Sequence, residues 1–114
     1  MSQEKFRKCI ELCVNCAIEC STCADACVNE KDSEMLARCI QFDLDCAALC
    51  YAAANAMEND NPISAEICDV CADMCDVCAG ECEKHHHEHC QRCAKTCREC
   101  AAECRNVFAP ATIL

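Results

Sequence analysis

Cysteine recurs along this chain at the period of an α-helix. Six cysteines stand at positions 9, 13, 16, 20, 23 and 27, separated by steps of 4, 3, 4, 3 and 4. Cys68, Cys71, Cys75, Cys78 and Cys82 step by 3, 4, 3 and 4, and Cys90, Cys93, Cys97, Cys100 and Cys104 repeat those steps. Residues three and four apart share one helix face, and this seam spacing is the one a helical bundle fills with leucine. A weaker segment between the first two series carries Cys39, Cys46 and Cys50, with Leu36, Asp43, Ala53 and Met57 on the same seam.

Punctuation between the series sets four helices, over about 2–28, 32–58, 62–84 and 87–107, with a short tail behind. Ser2 is the expected N-cap of the first, and Asp32 or Ser33 of the second. Asn61-Pro62 supplies a cap and a proline at the first helical position of the third, and Pro110 stops the fourth. Long helices joined by short connections predict an all-α, antiparallel up-down-up-down four-helix bundle with cysteines lining its core, one domain over 1–114. The cysteine series look like internal repeats, but no fixed period relates them, which favours a closed bundle over a solenoid.

Composition excludes several function classes. One glycine and two prolines leave no turns for a β-sandwich or barrel, and no loop for a dinucleotide fingerprint or a P-loop. A formal charge of −10 repels nucleic acid and anionic lipid, and favours cations. No run approaches the ~18 apolar residues of a membrane span. The segment from Met1 to Lys8 has no apolar h-region, so a cytoplasmic location with reduced thiols is expected.

Buried cysteine can serve as a small hydrophobe, and for a single residue that reading suffices. It fails for three unbroken series, because a core of small thiols gains less from burial than one of leucine. Disulfide storage is also disfavoured. The count of nineteen is odd, and neighbouring turns of one helix supply disulfide geometry poorly. Thiolate selects Cu(I), zinc or iron–sulfur clusters. Zinc takes four thiolates per ion and leaves negative charge on each site. Cu(I) takes two or three, and with bridging sulfurs each ion cancels one thiolate, so a long array stays nearly neutral. Triplets such as Cys9/Cys13/Cys16 match the spacing of radical-SAM clusters, but any 4/3 helical series does so automatically. CxxC pairs such as Cys13/Cys16 resemble ferredoxin or thioredoxin dipeptides, without the loops or strands those need.

Topology separates the two ends of such a bundle. His85, His86, His87 and His89 share one end with Cys27, Cys82 and Cys90. Phe6, Met57, Ile63, Val107 and Phe108 gather at the other. Copper is expected to pass through the histidine end. His85 continues the third seam one step past Cys82 and is the first candidate ligand; His89, beside Cys90, is the second. Asp43 has two readings: a carboxylate that snorkels or pairs with a basic residue, or a metal ligand or its hydrogen-bonding support. Met57 is expected to plug the apolar end, and Met35 and Met74 to pack beside the seams. Ile10, Val14 and Ile18 form a stripe off the seam, as do Leu44, Ala48, Tyr51 and Ala52, which suggests an oligomer interface.

The segments CIELCVNCAIECSTCADAC (9–27), CIQFDLDCAALC (39–50), CDVCADMCDVCAGEC (68–82) and CQRCAKTCRECAAEC (90–104), the last after a histidine turn, resemble the bacterial copper storage proteins. The resemblance covers nearly the whole chain and points to the cytosolic branch. It implies a homotetramer that stores multiple Cu(I) ions on inward-facing cysteines and is not an enzyme. A zinc-thiolate store and an iron–sulfur electron-transfer protein are the alternatives.

Overall fold

The computed structural model describes residues 2–109, with side chains from Glu4 onward. The Ser2 side chain and Pro110, expected as cap and stop, lie outside the described residues. Four helices follow one another: α1 Ser2–Val28, α2 Ala37–Glu58, α3 Ser64–Cys82 and α4 Glu88–Val107. Each packs against its chain neighbours, and α4 closes the ring against α1. There are no strands among the described residues.

Three element ends differ from the sequence expectation. A 3₁₀ turn, Ser33–Leu36, precedes α2, and the Asp32 side chain makes no capping hydrogen bond. That carboxylate is taken by His87, whose Nε2 lies 3.0 Å from Asp32 Oδ1. The other end of α2 falls at Glu58 as expected: the Asn61 amide donates to Ala56 O at 2.9 Å and Asp60 to Met57 O at 3.4 Å. Asp60 sits at φ 53°, so this is a Schellman-type stop with aspartate in the left-handed position. The third helix opens at Ser64, two residues after Pro62. Asn61 Oδ1 accepts from the Ile63 amide at 2.9 Å and Asn61 O from Ser64 Oγ at 2.7 Å, so the cap geometry closes on the turn before the helix begins. Finally, α3 stops at Cys82.

The core is the thiol seam. All nineteen cysteines are buried and free. Ala17, Ala47, Ala53, Ala72, Ala79, Ala94 and Ala101 are buried beside it, and their small side chains let neighbouring helices approach closely. At the apolar end Met57 is fully buried, and the Phe6 and Phe108 rings meet with centroids 5.2 Å apart. Ile63 does not join them: it is 52% exposed. Met35, expected to pack, is 74% exposed because it rides the 3₁₀ turn outside the bundle, while Met74 does pack against the core.

The outward faces are of two kinds. Between α3 and α4, Arg98 bridges Glu83 (2.8 Å) and Asp76 (3.1 Å), and Arg105 bridges Asp76 (2.7 Å) and Asp73 (3.0 Å). On α1 and α2, Ile10 and Val14 are half-buried, while Ile18, Leu44, Ala48, Tyr51 and Ala52 face solvent. None of the helices is long and apolar enough to cross a membrane.

Candidate functional site

The inward face of each helix contributes one rail of a continuous sulfur column. Nearest the phenylalanine end, Cys104 Sγ lies 3.7 Å from Cys9 Sγ and 3.6 Å from Cys13 Sγ. Cys100 then meets Cys13 at 3.7 Å, and Cys71 meets Cys50 at 3.7 Å. At mid-height Cys16 and Cys20 each lie 3.6 Å from Cys97, and Cys46 lies 3.6 Å from Cys75. Toward the histidine end Cys93 reaches Cys20 at 3.7 Å, Cys39 reaches Cys82 at 3.3 Å, and Cys90 lies 3.9 Å from both Cys23 and Cys27. Cys68 and Cys78 complete the α3 rail, fully buried.

Four-sulfur groupings recur along the column, with ligand atoms within 4.8 Å of one another: Cys13/Cys71/Cys100/Cys104, Cys16/Cys46/Cys50/Cys75, Cys16/Cys20/Cys46/Cys97, Cys20/Cys78/Cys93/Cys97 and Cys23/Cys27/Cys39/Cys90. Several share members: Cys16, Cys20, Cys46 and Cys97 each belong to at least two. A thiolate can bridge two ions, so overlapping groups can fill together. With two-coordinate Cu(I) each ion cancels one thiolate charge, whereas four-thiolate zinc leaves negative charge buried, so the array suits a soft monovalent ion. Burial pushes the Cys90 thiol up to about 11 and the Cys27 thiol upward as well. Metal binding must therefore displace the protons of these two thiols.

Asp43 is embedded in this array, with no exposure. Its Oδ1 accepts from Cys78 at 3.1 Å, Cys93 at 3.3 Å and Cys82 at 3.6 Å, while Cys39 approaches Oδ2 at 3.9 Å. The expectation that it snorkels or pairs with a base is overturned: its seam position turns it inward, and thiols from α2, α3 and α4 surround it. Burial first, then the neighbouring Cys93, raises its pKa to about 8.

The histidines separate. Because α3 ends at Cys82, the seam does not run on into His85; instead His85 Nε2 sits 2.9 Å from Glu81 Oε2. His89 turns its Nδ1 to the sulfurs, 3.5 Å from Cys23, 3.6 Å from Cys90 and 3.9 Å from Cys27. Of these two candidates, His89 turns a ring nitrogen to the sulfurs and His85 pairs with Glu81. His87 faces Asp32 and Glu30, and its ring stacks on His89 with centroids 5.3 Å apart. Sequence reasoning passed over Glu30 and Glu81, and read Asp32 only as a helix cap. Glu30 carried a signal: it stands one helical step of three past Cys27, at the end of the α1 seam.

The sequence model of the copper storage protein family matches residues 2–109. A solved structure described as Cu(I)-bound copper storage protein BsCsp3 is 44% identical, with a TM-score of 0.89 over 92% of this chain and 99% of that one. A cytosolic copper storage protein of Streptomyces lividans, in a structure described as holding five coppers, is 37% identical, with a TM-score of 0.90 over 97% and 98% of the two chains. The uncharacterized cysteine-rich protein YhjQ of Bacillus subtilis (strain 168) is 46% identical over 81 residues, 71% of this chain and 75% of that protein.

Proposed function

The chain belongs to the copper storage protein family, and from that premise we propose that it is a cytoplasmic reservoir holding many Cu(I) ions on bridging cysteine thiolates, with no catalytic role. The observation that carries this reading is the column itself: nineteen buried thiols from four helices, in groupings that overlap instead of closing into separate sites. The S. lividans relative, described as cytosolic, supports the compartment.

All nineteen cysteines are assigned as Cu(I) ligands, and His89 Nδ1 as a ligand where the column meets solvent. Asp43 serves as a hydrogen-bonding partner inside the array. His85, held by Glu81, guards the same end without facing the sulfurs. Copper passes through this end, because the other is filled by Phe6, Phe108 and Met57. Replacing His85, His86, His87 and His89 together should slow loading and chelator removal while leaving total capacity nearly unchanged.

The chain assembles with copies of itself, as a tetramer, through the apolar residues left on α1 and α2. Ile18, Leu44 and Tyr51 are each about half exposed, apolar area that such an interface would cover. Light scattering on the reduced protein reads the mass directly.

The deciding experiment titrates the reduced, metal-free chain with Cu(I) against a strong competing ligand. A bridged array takes up about one Cu(I) per cysteine. Zinc at about one ion per four cysteines would establish the zinc-thiolate reading instead. Iron with acid-labile sulfide would establish an iron–sulfur protein.

A further inference from the structure

The two nitrogens of His89 face opposite chemistry. Nδ1 looks into the column, 3.5 Å from Cys23 Sγ and 3.6 Å from Cys90 Sγ. Nε2 looks outward and lies 2.8 Å from Glu30 Oε2. A neutral imidazole carries its proton on one nitrogen only, and the other keeps the lone pair that can bind a metal. An ionised carboxylate accepts and cannot donate. A bare Nε2 would therefore set lone pair against lone pair across 2.8 Å. With the proton on Nε2, the bond to Glu30 becomes charge-assisted, and the Nδ1 lone pair is left aimed at the thiols.

We propose that Glu30 is a positioning residue for copper capture: it holds His89 in the Nε2–H tautomer and so presents Nδ1 as a Cu(I) ligand at the mouth of the sulfur column. This rests on the reading of His89 as a ligand of a Cu(I) store. The chemistry is that of carboxylate–histidine–metal relays, in which the outer carboxylate fixes the ring and makes its free nitrogen a stronger donor.

Glu30 is placed for this by the turn that ends α1. Its amide donates to Cys27 O at 3.2 Å, and its carbonyl accepts from the Ser33 amide at 3.2 Å. The backbone that carries the carboxylate is thereby tied to a cysteine facing the same imidazole, with Cys27 Sγ 3.9 Å from His89 Nδ1. His87 braces the arrangement from the solvent side. Its Nε2 reaches Asp32 at 3.0 Å, and its ring is within 7° of parallel to that of His89.

Two readouts on the reduced protein test this. Long-range proton–nitrogen correlation spectra of the metal-free chain report each histidine tautomer. Stopped-flow mixing with a chelated Cu(I) donor reports loading of the first equivalents. In the unaltered chain His89 should show the Nε2–H form. Glu30→Ala should shift it toward Nδ1–H and slow early loading about tenfold, the lower end of what loss of such an outer partner costs. Glu30→Gln, whose amide oxygen still accepts from Nε2–H, should keep the tautomer and most of the rate. Because Glu30 acts through the ring, Glu30→Ala combined with His89→Ala should load no more slowly than His89→Ala alone. An unchanged tautomer in Glu30→Ala overturns the role of Glu30. So does a double variant slower than His89→Ala, since Glu30 would then attract the cation independently. A wild-type loading rate in His89→Ala overturns the ligand assignment of His89 beneath the proposal, and the tautomer spectra tell that failure from the others.

Discussion

The Cys78 thiol donates to Asp43 Oδ1 across 3.1 Å, which ties α3 to the one fully buried acid among the described residues. Burial, with Cys93 next in weight, lifts that acid from 3.8 to about 8. The folded chain thus keeps the Asp43 proton up to about pH 8, whereas the unfolded chain gives it up near 3.8. Between those values the folded state binds more protons, so this residue's contribution to stability falls as pH rises. Thermal unfolding of the reduced, metal-free protein should show a higher midpoint at pH 5 than at pH 8. Asp43→Asn should flatten that difference. An equal pH dependence in the variant would remove Asp43 as its cause.

Protons should leave as copper arrives. Burial keeps Cys90 protonated up to about 11 and raises Cys27 as well, so these two thiols must lose their protons to become bridging ligands. About one proton per Cu(I) is expected, and apparent affinity should weaken about tenfold for each unit of falling pH. A weakly buffered indicator assay counts the protons, and competition titrations at two pH values read the affinity. Proton release far below one per ion would mean that the thiols are already ionised.

Capacity should follow the length of the column. Cys20 and Cys75 lie at mid-height among partners that also touch other sulfurs, so neighbours can pair again when one is lost. Cys20→Ala or Cys75→Ala should each cost about one Cu(I) per chain and leave the helices intact, unlike loss of one ligand from a closed site. Replacing Cys68, Cys71, Cys75, Cys78 and Cys82 together removes one whole rail and should cut capacity far more. Bound Cu(I) per chain under a common competitor measures both. Collapse of nearly all binding in a single variant would show one cooperative site.

The bundle should stand without metal. Its thiols are already packed and its apolar end is already closed by the Phe6–Phe108 pair. A far-ultraviolet spectrum of the reduced, metal-free chain should be helical, in contrast to a zinc finger, which needs its ion to fold. Phe6→Ala should lower stability by about 2 to 3 kcal/mol, just below the range for a fully enclosed ring, because 8% of Phe6 remains exposed. Denaturant unfolding of the two proteins gives the difference.

The cysteine spacing made the architecture legible because a 3/4 period has few other structural meanings, and every residue of the three series is buried. Helix ends were less legible. The seam suggested that α3 would carry His85 inward, yet the helix stops at Cys82 and Glu81 takes the imidazole. No local pattern announces that stop, since the following residues are neither glycine nor proline. Asp43 was visible on the α2 seam, but whether a carboxylate turns inward depends on what faces it from other helices. Here those are thiols of α3 and α4. The Glu30–His89 pairing joins residues fifty-nine positions apart and emerges only when α1 and α4 lie side by side.

The tilted Phe6–Phe108 pair closes one end of the column, so on the proposed route through the histidine end filling and emptying share one opening. On that route Cys9, Cys68 and Cys104 are the sulfurs farthest from the opening and Cys23, Cys27 and Cys90 the nearest, so copper beside the latter should be the first that a chelator withdraws. One column would then hold two fractions, a shallow one that exchanges readily and a deep one reached only after it.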